Sequence, residues 1–212
     1  WIQFDQGTVS LDPNAVSNYV AELGATYDTN SVPTSFQSTL RGPVSVPPGT
    51  YGWSIQTSAE TEQLTQDILS GEGMHRPPIT QGSATPDQPL IGDTYIEVDL
   101  QNQHMWYYKN GALFLNTDIV TGKPSTRTPA GVFYVWNKER NTVLSGPTWR
   151  SPVDYWMPID WTGVGIHDSN WQSAYGGNLW QTVGSHGCVN TPPSVVAQLF
   201  ENTAVGTPVV VY

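Results

Sequence analysis

The only cysteine of the chain, Cys188, lies in the segment SHGCVN (185–190), and His186 lies two residues before it. Another histidine, His167, ends a strand-like run and is separated from this segment by seventeen positions, 168–184. A free thiol has a pKa of about 8.5, so a nucleophilic cysteine needs a neighbouring imidazole or helix N-terminus to raise its thiolate fraction. The pattern therefore predicts Cys188 as a nucleophile for acyl transfer, with His167 as its base.

Three residues of the same segment are predicted to support this pair. His186 projects to the same strand face as Cys188 without touching it end-on, so we expect it to shape the pocket wall or to hold substrate. Gly187 has no side chain, which lets the backbone turn sharply and lets substrate approach. The amides of Gly187 and Cys188 are candidates for binding a developing oxyanion, and Ser185 is the remaining supporting residue.

Asp168 is a candidate for the third member of a catalytic triad. Adjacent residues on a strand face opposite sides, so its carboxylate is expected to point away from the His167 ring. A backbone carbonyl would orient the imidazole equally well. A turn at position 168 would remove the strand constraint, so the sequence leaves the third member open.

The same side chains also allow a metal site or a purely structural turn. His167, His186 and Cys188 are three possible zinc ligands, with Asp168 as a fourth. The chain has neither a CxxC nor an HxxxH spacing, which is the main sequence evidence for zinc, so we expect no metal and no cofactor. A papain-like protease is disfavoured, because that family places the cysteine early and the histidine far downstream.

Seven aromatic residues crowd the region before the motif: Trp149, Tyr155, Trp156, Trp161, Trp171, Tyr175 and Trp180. We expect most of them to pack in the core, with Trp156 and Trp161 in the core or the pocket wall. Trp171 and Tyr175 lie instead in a loop, 167–184, that is too polar for a core element. We expect this loop to form a lid whose aromatic side chains flank a bound peptide or sugar.

The charge of the chain disfavours two classes of partner. Its formal net charge is −10, with eight Lys plus Arg among 212 residues and no run of basic residues. Nucleic-acid binding and docking to an anionic membrane both require a cationic surface, so we expect neither. Nine Trp and ten Tyr argue against a disordered chain, and no stretch approaches the roughly 18 apolar residues of a membrane span.

Two helices are predicted in the N-terminal third. Asp12 followed by Pro13 is a helix start, an N-cap before proline in the first turn. Thr57 begins a second helix, Glu60 completes a capping box with it, and Gly71 ends it.

The segment 71–89 separates this part from the rest of the chain. It is rich in Gly, Pro, Ser and Thr and has no apolar period, which is typical of a linker. We place a boundary near Pro86, between a small mixed α/β domain over 1–86 and a second domain over 87–212.

From Thr94 onward the pattern is β. Alternating apolar and polar residues begin there, with the period of a half-buried strand. Asn110-Gly111, between two apolar runs, predicts a hairpin with a type I′ turn. One late helix is expected after Thr191-Pro192. The second domain is therefore expected to be mainly β with a short helix.

His167, the seventeen-position gap and SHGCVN (185–190) resemble the signature of the L,D-transpeptidase catalytic domain, also called the YkuD-type domain. The segment 96–135, with its TGKP…TPxGxF turn, and PVDYWMPI (152–159) are similar to that family as well. The resemblance covers about residues 90–212 and implies a YkuD-type β-sandwich.

The N-terminal part resembles a companion module to which peptidoglycan binding is ascribed. The resemblance lies in VSNYVAELGATYDT, in residues 36–42 and in GTYGWSI, and the whole chain is similar to enterococcal members of the family. Full-length proteins of this family have an N-terminal membrane anchor. We therefore expect an extracytoplasmic location at the cell wall and the outer face of the membrane, with an anchor before Trp1.

The resemblance implies a reaction on peptidoglycan. Cys188 would attack the carbonyl of the third residue of a tetrapeptide stem, release D-Ala and pass the acyl group to an acceptor amine, which forms a 3-3 cross-link. His167 would carry the proton, Trp171, Tyr175 and Asn190 would bind substrate, and β-lactams of the carbapenem class would acylate the same thiol. Two alternatives remain open: an L,D-carboxypeptidase in which water replaces the amine, and a non-catalytic wall-binding protein.

Overall fold

The structure is a computed structural model that describes residues 1–212 and divides into two compact units. The first unit contains Trp1–Pro33 and Tyr51–Leu90, and the second contains Thr34–Thr50 and Ile91–Tyr212. These units differ from the predicted division in two segments, since residues 34–50 group with the second unit and residues 87–90 with the first. The position of the boundary along the chain stays a prediction.

The N-terminal part of the chain contains two helices and six short strands. In chain order they are β1 (Ile2–Asp5), β2 (Thr8–Leu11), α1 (Pro13–Tyr27), β3 (Thr34–Ser38), β4 (Gly42–Val46), β5 (Trp53–Ile55), α2 (Thr57–Ser70) and β6 (Thr80–Gly82). β1 pairs with β2 and β5 pairs with β6, each antiparallel and within the first unit. The mixed α/β character predicted for this part is confirmed.

The two helices begin where the sequence predicts, but only one has the predicted cap. The Asp12 carboxylate accepts a hydrogen bond from the Asn14 amide at 2.9 Å and caps α1. No side chain caps α2, so the predicted capping box is wrong. The Glu60 carboxylate instead accepts bonds from Arg76 at 2.9 Å and from the Ile79 amide at 2.7 Å. These two bonds direct the carboxylate to Arg76 and Ile79 and not to the amide at the start of α2.

The segment that follows α2 is more structured than a linker. Gly71 ends the helix in the left-handed conformation, with φ 71°, as predicted. Strand β6 then lies within the predicted linker and pairs with β5. A sequence rich in Gly, Pro and Thr hides this strand because it has no apolar alternation.

The C-terminal part of the chain consists mainly of strands. In chain order its nine strands and two helices are β7 (Tyr95–Asp99), β8 (His104–Lys109), β9 (Ala112–Asp118), β10 (Gly131–Tyr134), β11 (Glu139–Gly146), β12 (Trp149–Pro158), β13 (Gly165–Asp168), α3 (Trp180–Val183), β14 (Val189–Thr191), α4 (Pro193–Asn202) and β15 (Pro208–Val211). Asn110 and Gly111 have φ values of 51° and 76° between β8 and β9, as a type I′ turn requires. None of the four helices is long and apolar enough to span a membrane.

Two sheets enclose the core of the second unit. One has the strand order β10-β15-β7-β8-β9 and the other β11-β12-β13-β14. Their inner faces share one cluster of buried apolar side chains with α4, including Ile96, Met105, Met157, Ile166 and Leu199. The predicted mainly β sandwich with a late helix is confirmed, and α3 is an additional helix within the predicted lid.

A buried carboxylate binds the hairpin β3–β4 to this unit. Glu97 is fully buried and accepts hydrogen bonds from the Thr39 amide at 2.8 Å and the Thr39 hydroxyl at 2.6 Å. The Tyr212 hydroxyl donates a further bond to it. A buried carboxylate needs such donors to offset its lost hydration, which explains why residues 34–50 group with the second unit.

Candidate active site

Three neighbouring strands bring the predicted site residues to one cleft. β13 lies between β12, which is antiparallel to it, and β14, which is parallel to it, and His167 pairs in register with Trp156 and Asn190. Register partners on adjacent strands point to the same face of a sheet. Cys188 immediately precedes β14. A single cleft of ≈ 790 Å³ is lined by Trp156, His167, Cys188 and Asn190.

The imidazole of His167 is oriented by a backbone carbonyl. Its Nδ1 lies 2.7 Å from the carbonyl oxygen of Asp168. A carbonyl only accepts hydrogen bonds, so Nδ1 carries the proton and Nε2 of the neutral ring is left as a base. Burial lowers the pKa of His167 from its ordinary 6.5, and the bond to Asp168 only partly opposes this. The ring is therefore neutral at neutral pH.

The carboxylate of Asp168 has a different role from its carbonyl. It accepts hydrogen bonds from the amides of Asp154 at 2.9 Å and Tyr155 at 2.8 Å, and the residue is 1% exposed. It thus joins β13 to β12 and points away from the His167 ring. The third position that the sequence leaves open is occupied by a carbonyl.

The thiol of Cys188 is held in its protonated form. It lies at the cleft with the residue 9% exposed, and its Sγ donates to the Gly163 carbonyl at 3.5 Å. The pKa of the Cys188 thiol is raised to about 11, mainly by burial; a hydrogen bond with the Gly165 backbone opposes this shift and the charge of Asp160 adds to it. At rest the thiol is therefore neutral. A nucleophilic role for it would require proton transfer to a base during attack.

The loop that carries Cys188 is braced by its own hydroxyl groups. The Ser185 hydroxyl donates to the Cys188 carbonyl at 2.6 Å and accepts from the Gly187 amide at 3.0 Å. The Thr128 hydroxyl donates to the Gly187 carbonyl at 2.7 Å. The Gly187 amide thus has an acceptor at rest, and the predicted oxyanion roles of the Gly187 and Cys188 amides stay predictions.

Gly187 nevertheless meets a steric demand at this turn. Its φ is 128°, a conformation that side chains rarely adopt, and an added Cβ would lie 3.2 Å from the Val164 side chain. Glycine is the residue that adopts this backbone without strain.

His186 lies on the cleft wall, with an aromatic partner that the sequence analysis missed. Its ring stacks on Trp149 with the centroids 4.9 Å apart and the planes 6° from parallel. Both residues line the cleft. We expected most aromatic residues of this region to pack in the core, and no periodicity distinguishes Trp149, the first residue of β12, as one that lines the cleft.

The predicted lid divides into residues at the cleft and residues away from it. Trp171 is 51% exposed, lines the cleft and lies 6.0 Å from the His167 ring. Tyr175 is not among the lining residues, and its hydroxyl donates to the Ser169 carbonyl at 2.9 Å. Tyr175 therefore bonds to another residue of the lid, Ser169, and does not line the cleft. Trp161, expected in the core or wall, is 64% exposed.

Asn190 contacts a second amide that the sequence analysis missed. Its Nδ2 donates to the Gln172 Oε1 at 2.8 Å. The Asn190 Oδ1 and the Gln172 Nε2 are buried without a partner. The bond joins the lid to the strand that follows Cys188, and nothing in the local sequence around Gln172 indicates it.

Two family models match the chain. The model of the L,D-transpeptidase catalytic domain matches residues 93–211. The model of a domain family named for peptidoglycan binding matches residues 2–74.

Solved structures and curated proteins are similar to the chain over different lengths. A cysteine-to-serine variant of the Enterococcus faecium L,D-transpeptidase is 60% identical, with a TM-score of 0.96, over 100% of this chain and 87% of that one. The catalytic domain of the E. faecium enzyme acylated by ertapenem is 66% identical, with a TM-score of 0.54, over 57% of this chain and 98% of that one. L,D-transpeptidase 1 of Mycobacterium tuberculosis is 31% identical over 129 residues, which are 56% of this chain and 50% of that protein. The match thus spans about half the length of this curated relative.

Proposed function

Because the chain belongs to the L,D-transpeptidase catalytic domain family, we propose that it is a peptidoglycan L,D-transpeptidase that acts through Cys188. The observation that carries the proposal is that a thiol and a neutral imidazole line the same cleft. The imidazole has its Nδ1 proton bonded to a carbonyl, which leaves Nε2 to accept the thiol proton. A nucleophile and a base with an oriented tautomer are the components of acyl transfer.

In the first half-reaction, the Cys188 Sγ attacks the carbonyl carbon of the third residue of a tetrapeptide stem. A sulfur–carbon bond forms while the thiol proton moves to Nε2 of His167. The negative charge that develops on the carbonyl oxygen is stabilised by the Cys188 amide. The bond to the terminal D-Ala then breaks, and His167 returns the proton to the departing amine.

In the second half-reaction, an acceptor amine on another stem attacks the thioester. A carbon–nitrogen bond forms, the carbon–sulfur bond breaks and the amine proton returns to the sulfur through His167. The product is a 3-3 cross-link. Trp171, His186 and Asn190 line the same cleft and are the residues that would contact the two stems.

This reaction places the protein at the cell wall. Its substrates are outside the cytoplasm, and the second matched family is named for peptidoglycan binding. We therefore propose an extracytoplasmic site of action, with stem peptides as partners and carbapenems as covalent inhibitors.

Product analysis with purified tetrapeptide stems tests the proposed function. We expect a cross-linked dimer together with released D-Ala, and one carbapenem adduct per chain in intact-protein mass spectra. Monomeric tripeptide as the sole product would indicate a carboxypeptidase. The absence of both product and adduct would leave a wall-binding protein.

The substitution Asp168→Asn tests whether the Asp168 carboxylate has a structural role or belongs to a catalytic triad. We expect acylation by a carbapenem to stay within about tenfold of wild type, because the ring is oriented by a carbonyl. Loss of the charge weakens two hydrogen bonds, so unfolding should become easier by about 1–3 kcal/mol. A triad carboxylate would instead cost about 10⁴-fold in rate. Acylation rates and thermal unfolding are the measurements, and a loss of that size without a lower Tm would contradict the assignment.

A further inference from the structure

A buried carboxylate outside the predicted site organises the turn between β12 and β13. Asp160 is 5% exposed. Its Oδ1 accepts hydrogen bonds from the amides of Thr162 at 2.9 Å and Val164 at 2.8 Å, and its Oδ2 accepts from the Thr162 hydroxyl at 2.6 Å. The Asp160 carbonyl accepts from Trp136 Nε1 at 2.9 Å. Besides the backbone bonds from Ile159 and Asp160 to the Val164 carbonyl, this side chain therefore holds the turn at Thr162 and Val164.

The same turn contacts the thiol of Cys188 and the loop that carries it. Gly163, at φ 93°, presents its carbonyl to the Cys188 thiol. Val164, whose amide Asp160 binds, packs against the position of Gly187. A shift of the turn would thus move both the acceptor of the thiol proton and the wall behind the Cys188 loop.

We propose that Asp160 is a positioning residue for Cys188, which it directs through the carbonyl of Gly163. The proposal rests on the proposed function, because it assigns Cys188 as the nucleophile. Asp160 touches neither the substrate nor the reacting atoms. It acts on the thiol through the turn whose backbone it binds.

The charge of Asp160 also acts on the thiol. The titratable side chains that line the cleft with Cys188 are Glu139 from β11, His167 from β13 and His186 from the loop before β14, and Asp160 lies behind the turn. Its negative charge disfavours the thiolate and raises the pKa of Cys188, in addition to the larger effect of burial. Removing the charge while keeping the turn should therefore ease thiol ionisation.

Two substitutions separate position from charge. Asp160→Ala removes all three hydrogen bonds to the turn, so we expect carbapenem acylation to slow by about ten- to a hundredfold, as misplaced reacting groups do. Asp160→Asn keeps an oxygen for both amides. We expect the pH dependence of Cys188 alkylation by iodoacetamide to move to lower pH in this variant. The signal is specific because the chain has one cysteine.

Asp99→Ala is the matched control. Asp99 is equally buried, and its Oδ1 binds the amides of Gln101 at 2.9 Å and Asn102 at 3.0 Å in a turn that does not line the cleft. We expect Asp99→Ala to lower Tm but to keep the acylation rate and the alkylation profile of wild type. Equal slowing by Asp99→Ala and Asp160→Ala, or a wild-type alkylation profile for Asp160→Asn, would overturn the proposal. Failure of the wild-type protein to be acylated would instead refute the proposed function, and the alkylation profile would still decide the role of Asp160.

Discussion

The Cys188→Ala variant is expected to form no carbapenem adduct and no cross-linked product. In the proposed mechanism both half-reactions pass through a bond to this sulfur, and the chain has no second thiol. Removal of the nucleophile from a serine protease lowers turnover by about 10⁶-fold, and a loss of that size would be below detection in a product assay. Intact-protein mass spectra and product analysis give the result directly.

The fold of this variant should persist, which keeps the result interpretable. Cys188 packs in a small cluster with Val153 and Trp156, and loss of one sulfur atom from it costs about 1 kcal/mol. Thermal unfolding and circular dichroism should therefore resemble those of the wild-type protein. An adduct on the variant would show that another side chain is the nucleophile.

The His167→Ala variant should acylate about 10²- to 10⁴-fold more slowly than wild type, the usual contribution of a general base. Burial lowers the pKa of His167, so the ring stays neutral down to a pH below 6.5 and gains its proton only on further acidification. The wild-type rate should hold at pH 6.5 and fall as the pH drops through this lowered pKa. The variant should lack that acid limb, and the measurement is the acylation rate as a function of pH.

His104→Ala is the control for this experiment. His104 lies on β8, where its Nδ1 is 2.7 Å from an oxygen of Asp118, and it does not line the cleft. Its removal should leave both the rate and the acid limb unchanged. If His167→Ala kept the wild-type profile, the proton would have to go to another group, and the assignment of the base would be wrong.

Features that depend on neighbouring residues could be predicted from the sequence. A proline after an N-cap aspartate starts α1 at Pro13, and Asn110-Gly111 forms the turn between β8 and β9. The thiol and the two histidines of the cleft were also identified, because residue type and spacing limit the chemistry that a lone cysteine can perform. These inferences need only backbone sterics and side-chain reactivity over a short stretch of chain.

Partners that meet across the fold could not be predicted. The thiol bonds to a carbonyl 25 residues away, and Glu97 binds a residue 58 positions away. Several hydrogen-bond partners were chemically suitable for the Gly187 amide, for the imidazole of His167 and for the carboxylate of Glu60. Which partner each one took depended on how strands and turns packed, since hydrogen bonds form with whatever group the tertiary structure brings within about 3 Å. The amino-acid sequence alone thus indicated which residues are candidates for the chemistry of this protein, and the tertiary structure decided how each is oriented, protonated and held by hydrogen bonds.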